Sequence, residues 1–458
     1  MKFLFYVLFT LFSLSIVSAQ ETKTENKDGW IISGSAQFRS ELDGRDFLNS
    51  TFAPIATSSR IRVGVEKTVF NDVTFFVQFQ DSRVFGKEKN TLASLSNVDL
   101  HQADVTINNI FNMPLSVKVG RSEVSYGTNR FIGNNSWHYI SRSFDGGKIT
   151  YKSDKFWVDL YTYTISMFND YLNVGPAGFP YPIPTDTSFT FHGFWSSFKL
   201  FDNTSLDLFG YYEWDKKKEE FDRKRLDTNF SGNRTVALNR MTAGFSYDMK
   251  LKPFSLLAEF GYQFGDYTNG LKANKKDSVI KYTDIDIGAY QLAVKAQYDF
   301  EPFSVSINAE IQTGIEGGDT AKSISKYTLY DNTYATKHAL NGYMDYFGTL
   351  SSSTQNLGLN DYFIRLLYSP KGSPFYAQLD GHYFTTNQKN KDGNNALGPE
   401  IDLVLRYTIV KGVTFEWGGC IFLPGDAMKE VYKVKQGSSF MMREDPSFWS
   451  YLMIRAFL

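Results

Sequence analysis

Cysteine, histidine and long apolar runs are scarce in this sequence, and each shortage removes a class of protein. One cysteine, Cys420, stands among 458 residues, so an internal disulfide framework is excluded. A lone cysteine in a strand is more often a small apolar filler than an activated nucleophile. Five histidines, His101, His138, His192, His338 and His382, are scattered without the spacing of a metal site, so neither a metal nor another cofactor is expected. No Walker-type glycine loop is present, so no nucleotide drives any movement of solute. The 48 basic and 49 acidic residues leave a net charge of −1, which gives no argument for nucleic acid or for a polybasic membrane surface. Beyond residue 19, no apolar stretch reaches the roughly 20 residues of a membrane helix.

What is present begins with an export signal. Met1-Lys2, an apolar run from Phe3 to Val17 and Val17-Ser18-Ala19 before Gln20 form a charged start, an apolar core and a small-residue cleavage site. Residues 1–19 are therefore expected to be removed, leaving a polar segment, 20–29, ahead of the fold. No cysteine follows the cleavage site, so the pattern is not that of a lipoprotein. Aromatic residues make up 17% of the chain, Phe and Tyr above all, which suits strands and the girdles of a membrane barrel.

The recurring pattern is alternation with period two, the mark of a strand with two unlike faces. In Trp30 to Glu41, Ile32, Ala36 and Phe38 alternate with Ser33, Gln37, Arg39 and Glu41. Ile61, Val63 and Val65 alternate with Arg60, Arg62 and Glu66; Val305, Ile307, Ala309 and Ile311 with Ser306, Asn308, Glu310 and Gln312; Ile401, Leu403 and Leu405 with Glu400, Asp402 and Arg406. Such segments number about 18, each near the roughly 9 to 11 residues with which a tilted strand crosses a bilayer. The last, Ser447 to Leu458, is expected to close against the first.

The connections separate a membrane barrel from a soluble sandwich, because membrane barrels alternate short periplasmic turns with longer external loops. Short links fall at Val69–Asp72, Phe111–Pro114, Ser153–Asp154, Phe201–Asn203, Met249–Pro253, Phe300–Pro302, Ser369–Pro374 and Val410–Gly412. Between them lie long polar stretches such as 43–57, 125–142, 216–232, 266–281, 317–353 and 424–446. The expected fold is an all-β, up-and-down antiparallel transmembrane barrel over residues 30–458, of about 18 strands, with both termini periplasmic.

In such a barrel the lumen-facing side chains carry function. Parity directs Arg39, Arg60, Arg62, Lys118, Arg240, Lys295, Arg365, Arg406 and Arg455 inward. It also directs inward Glu41, Glu66, Asp104, Asp159, Asp207, Glu213, Glu259, Glu310, Asp361, Asp380, Glu400, Asp402 and Glu416. A wet interior lined by both signs is expected, and pairing of many of these charges across strands is the plainer reading for any one of them.

The densest motif is Gly120-Arg-Ser-Glu-Val-Ser-Tyr-Gly-Thr-Asn-Arg-Phe-Ile-Gly-Asn-Asn-Ser-Trp137, followed by Ser141-Arg-Ser-Phe-Asp-Gly-Gly147. With Gln80–Arg83, Asp99–Ala103, Asn341–Phe347 and Leu397–Asp402, it resembles the alginate-export family of outer-membrane porins from about Ser58 to the end of the chain. The resemblance implies an 18-stranded barrel in the bacterial outer membrane, with arginines forming a selectivity constriction for an anionic polysaccharide. On the matching positions it implicates Arg83, Arg121, Arg130, Arg142 and Asp145. Parity places Arg83 and Arg121 on the lipid side of their strands, so either a bulge near Gly120 turns them inward or they lie above the bilayer.

The function expected is passive diffusion or export of a polar, anionic saccharide through a charged lumen, without catalysis. The partners are outer-membrane lipid and the solute, with no nucleic acid. The residues expected along the solute path are Arg60, Arg62, Arg83, Arg121, Arg130, Arg142, Asp145, Arg365, Glu400, Asp402 and Arg406. An alternative is a glycan-active barrel enzyme using Glu400 and Asp402 as paired carboxylates. A third reading is a barrel plugged by its own loop, Tyr327 to Phe347.

Overall fold

A ribbon with one apolar and one polar face satisfies all its backbone groups in lipid only by closing on itself. The computed structural model describes residues 24–25, 29–70, 72–87, 97–167, 188–215, 235–272, 280–318, 326–338, 340–436 and 439–458. The expected signal peptide, 1–19, and the loop 216–232 lie outside the described residues. Eighteen antiparallel strands form the closed barrel. They are β1 (Trp30–Gly44), β2 (Ile55–Val69), β3 (Val73–Val84), β4 (Val98–Ile107), β5 (Leu115–Ser122) and β6 (Phe144–Lys152). Next come β7 (Phe156–Met167), β8 (Ser188–Phe201), β9 (Thr204–Asp215), β10 (Thr235–Leu251), β11 (Phe254–Lys272) and β12 (Ile280–Phe300). The last six are β13 (Phe303–Gln312), β14 (Leu359–Tyr368), β15 (Phe375–Thr385), β16 (Ala396–Val410), β17 (Val413–Phe422) and β18 (Ser447–Phe457).

Each strand pairs with its neighbour in sequence, and β18 pairs with β1 from Ser35↔Phe457 to Gly44↔Phe448, which removes the sheet edges. The short links all fall at the rim where β1 begins and β18 ends. The longer connections among the described residues fall at the other rim. Two short helices, α1 (Leu350–Ser353) and α2 (Asp426–Tyr432), sit within those longer loops.

Parity assigns the faces as the alternation predicts. On β16, Glu400 and Asp402 are buried and Ile401 between them is 58% exposed. Ile32, Phe38, Val63, Leu160, Ile307, Ile364 and Leu452 likewise face outward in an apolar band. Tyr262, Tyr290, Tyr362 and Tyr383 lie on the same outer face. Phe254, Tyr298 and Phe300 lie toward the short-link rim, with the first two rings 4.9 Å apart. Ile307, midway along β13 and 62% exposed, is a lipid contact on this reading. Ile307→Arg is expected to cost roughly 2 to 4 kcal/mol, as for a cation at the bilayer midplane, read from urea unfolding in lipid vesicles.

No bulge re-aims Arg121. The β5–β6 register runs unbroken through Val119↔Gly147, Gly120↔Gly146 and Arg121↔Asp145. Gly120 has φ +135°, and a Cβ there would lie 2.2 Å from the Ala103 carbonyl oxygen, so the position needs glycine for close approach of β4. The register also runs unbroken along β2 and β3 past Arg83.

The interior is less open than the expected wet lumen. Toward the long-loop rim it is filled by two apolar clusters, one around Phe47, Phe347, Phe384, Phe422 and Trp449, the other around Tyr126, Phe131, Phe191, Trp195 and Tyr334.

Candidate functional site: a lumen narrowed by two inward loops

The apolar clusters exist because two loops turn into the barrel. One, residues 123–143, joins β5 to β6; the other, within 313–358, joins β13 to β14. The first crosses the lumen. Arg130, at its tip, pairs with Glu259 on β11 (2.8 Å) and with Glu310 on β13. Thr128 donates to both oxygens of Glu259 at 2.8 Å, and the Tyr126 hydroxyl donates to Asp159 on β7 at 2.7 Å. On the opposite wall, the Arg60 guanidinium on β2 donates to the carbonyls of Ser136 (2.9 Å) and His138 (3.0 Å), and Arg39 on β1 donates to that of Trp137 (2.7 Å). Gln80 and Ser82 on β3 bind the carbonyls of Ile140 and Tyr139.

At the base of this loop Glu123 lies 2.9 Å from Arg62 and 2.7 Å from His101. Burial alone would raise the Glu123 carboxyl. The contacts with His101, Arg62 and Asn134 outweigh it and hold the group at about 2.

The second loop is fixed in the same way. Arg240 on β10 holds Asp331 (2.9 Å) together with Glu213 on β9 (2.5 Å). The Met344 and Tyr343 N–H groups donate to Glu400 (3.0 Å) and Asp402 (3.3 Å). Arg142 joins the two loops, donating to the carbonyls of Gly133, Thr333 (2.8 Å) and Tyr334. The ring of Trp137 lies between the Arg39 guanidinium, 4.1 Å from its centroid, and His338, stacked at 3.6 Å.

The residues read from the sequence therefore separate into three groups. Arg130, Arg142, Glu400 and Asp402 are buried or half-buried anchors of the loops, and Arg60 and Arg62 hold the first loop from the wall. Arg365 and Arg406 project into the lumen below the loops. Arg83, Arg121 and Asp145 are not brought to them. Arg83 pairs with Asp81 at 2.7 Å, Arg121 pairs with Asp145 at 2.8 Å, and all three residues stand on the outer face near the long-loop rim. The reason is the unbroken register, which keeps Arg121 on the same face as the lipid-facing Val119.

The sequence count of inward charges, mixed in sign, takes on a different meaning once exposure is known. Glu259, Glu310, Asp361, Asp380, Glu400 and Asp402 are all buried, several beneath the loops. In the half of the lumen nearer the short links, four acids are buried beneath the bases they pair with, whereas Arg62 at 10% is less exposed than its partner Glu123 at 19%. Side-chain exposure is 31% for Lys118 against 1% for Asp104, 28% for Lys148 against 4% for Asp159, and 22% for Arg365 against 0% for Asp380. Arg406 and Arg455 are 38% and 29% exposed around a Glu416 at 4%. Lys148 escaped the sequence reading. It faces Lys118 directly across β5 and β6, a like-charge pair that costs stability unless something at the site rewards it. Arg62, Glu66, Asp104, Lys118 and Glu123 line a cavity of about 430 Å³ in this half, beneath the first loop.

A closed 18-stranded barrel with an apolar belt, a charged lumen and inward-folded loops is a channel-forming barrel of the bacterial outer membrane. The sequence model of the alginate export family matches residues 34–362, and the chain belongs to that family. No curated protein matches it in sequence. In fold it is similar to OpdL of Pseudomonas aeruginosa, at 10% identity over 94% of this chain and 98% of that one, with a TM-score of 0.56. It is also similar to OccAB4 of Acinetobacter baumannii, at 11% identity over 95% and 98%, with a TM-score of 0.54. The outer membrane protein opdK of Pseudomonas aeruginosa gives 9% identity over 93% and 98%, with a TM-score of 0.53.

Proposed function

We propose that this protein is a passive, anion-selective outer-membrane channel for a polar acidic saccharide, with the short-link rim and both termini on the periplasmic side. On this reading residues 1–19 are removed on export, 20–29 form a periplasmic lead and 30–458 form the barrel. The observation that carries it is the one-sided exposure around four lumen carboxylates, Asp104, Asp159, Asp380 and Glu416, which are buried while the lysines and arginines paired with them meet the water. A low-dielectric wall focuses that field into the passage, so the local concentration of anions rises. Lys118, Lys148, Arg365, Arg406 and Arg455 come from β5, β6, β14, β16 and β18, and a solute with carboxylates repeated along its length matches cations spread around the wall.

The glycan-hydrolysis alternative gains no support from geometry. Glu400 and Asp402 are each 1% exposed, and backbone N–H groups of the second loop cover them, so a substrate in the lumen does not reach the pair.

The test is the reversal potential of single channels of the refolded mature chain in a potassium chloride gradient, followed by titration with oligouronates. Anion selectivity with concentration-dependent block by oligouronates is expected. Cation selectivity would overturn the reading. Anion selectivity without block would retain the channel and remove the acidic saccharide.

A further inference from the structure

Behind the second inward loop lies a cluster of ionisable groups whose histidine, His382, and its partner Asp361 have no part in the channel reading. Asp361 on β14, Asp380 and His382 on β15, and Glu400 and Asp402 on β16 occupy adjacent positions of the lumen face, and each is 3% exposed or less. Ligand atoms of Asp380, His382 and Asp402 lie within 4.8 Å of one another. The imidazole is fixed from one side. Its Nδ1 sits 2.9 Å from Asp361, and its ring stacks on Phe363 and Phe384 at 4.3 and 5.2 Å. With the Nδ1 hydrogen donated to Asp361, Nε2 carries a lone pair, and it has no hydrogen-bond partner. That nitrogen lies 3.7 Å from Asp402 Oδ2, the oxygen that accepts the Tyr343 N–H. A buried lone pair opposed to a buried carboxylate oxygen costs free energy unless a positive species lies between them.

The separation is informative. It is too long for a hydrogen bond. Two ligands about 2.1 Å from one ion, set roughly 110 to 120° apart, lie about 3.4 to 3.6 Å from each other. A carboxylate that fixes the Nδ1 hydrogen of a histidine whose Nε2 points into a site is the outer-shell arrangement of metal-ligating histidines. Asp380 is held by both guanidinium nitrogens of Arg365 (2.8 and 2.6 Å) and by Gln378 (2.7 Å), which orient its remaining lone pairs.

We infer that His382, Asp402 and Asp380 form a binding site for a divalent transition-metal ion, with Asp361 as the positioning residue. One imidazole and two carboxylates suit zinc-like ions rather than the all-oxygen shells of calcium or magnesium. Asp402 and Glu400 also accept the Tyr343 and Met344 N–H groups, so the ion joins the barrel wall to the loop that narrows the lumen. Occupancy therefore stiffens that loop.

The experiment uses the refolded full mature chain in detergent, stripped with EDTA, dialysed against zinc chloride and assayed for metal content and thermal transition, with cobalt chloride as a visible-absorption probe. The expected result is one zinc per chain, a cobalt spectrum of low-symmetry nitrogen and oxygen ligation, and a transition raised by zinc but not by magnesium. His382→Gln is expected to weaken zinc binding by at least tenfold, and Asp361→Asn by about tenfold. Heat-modifiable migration on gels verifies that each variant is folded; if His382→Gln fails this check, Asp402→Asn takes its place. No zinc retained by the wild type, or affinity unchanged in a folded His382 or Asp402 variant, overturns the site.

Discussion

Arg130→Ala is expected to widen and destabilise the channel together. The arginine lies at the tip of the first inward loop, 10% exposed, between Glu259 and Glu310 at 1% and 3%. Its removal leaves two buried carboxylates without their cation, and uncompensated buried charges of this kind cost about 3 to 5 kcal/mol. Thr128 then holds the tip to Glu259 without the ion pairs, so the tip of residues 123–143 loses its charged tie to the far wall. Single-channel conductance should rise severalfold with added noise, and the urea midpoint in vesicles should fall. Arg130→Met combined with Glu259→Gln and Glu310→Gln removes the charges together and should recover most of the stability while leaving the conductance high. Conductance and midpoint both at wild-type values in Arg130→Ala would show that the loop does not depend on this anchor.

Charge selectivity should invert when Lys118 and Lys148 both become glutamine. These two lysines cover Asp104 and Asp159 at 2.9 and 2.8 Å. Without them the lumen loses two positive charges and uncovers two negative ones. The permeability ratio of chloride to potassium should fall from above one to below one. The change should be largest at low salt, because the screening length is ~30 Å at 0.01 M but only ~3 Å at 1 M. A ratio that stays above one at 0.01 M would place the selectivity elsewhere, with Arg406 and Arg455 the next pair to substitute.

How much of this was legible in sequence depends on distance along the chain. The barrel, its strand number and its two rims follow from alternation and loop length, both local properties that a sheet in lipid enforces strongly. The face of most wall charges follows from the same period. Arg121 is instructive: parity alone puts it outside, and the family motif leaves either a bulge that brings it in or a place above the bilayer. The unbroken register at Gly120 sides with parity. Lys148 was missed because it sits on β6 beside Gly146 and Gly147, where the apolar alternation that marks a strand is interrupted.

The site was legible as a set of residues but not as an arrangement. Arg130 and Glu310 are separated by 180 positions, and nothing in the sequence around either shows that a loop carries one across to the other. The same holds for His382, whose partners Asp361 and Asp402 come from neighbouring strands.

The sequence by itself determined an outward apolar face, an inward charged face and the alternation of short and long connections, because period-two patterning and backbone hydrogen bonding in lipid leave a closed barrel as the solution. Only the tertiary structure decided which inward charges meet water. Two loops fold back into the lumen and bury the carboxylates that anchor them, and the side chains left exposed below include Lys118, Lys148, Arg365, Arg406 and Arg455. Exposure is a property of what lies above a residue in space, and no spacing along a strand encodes it.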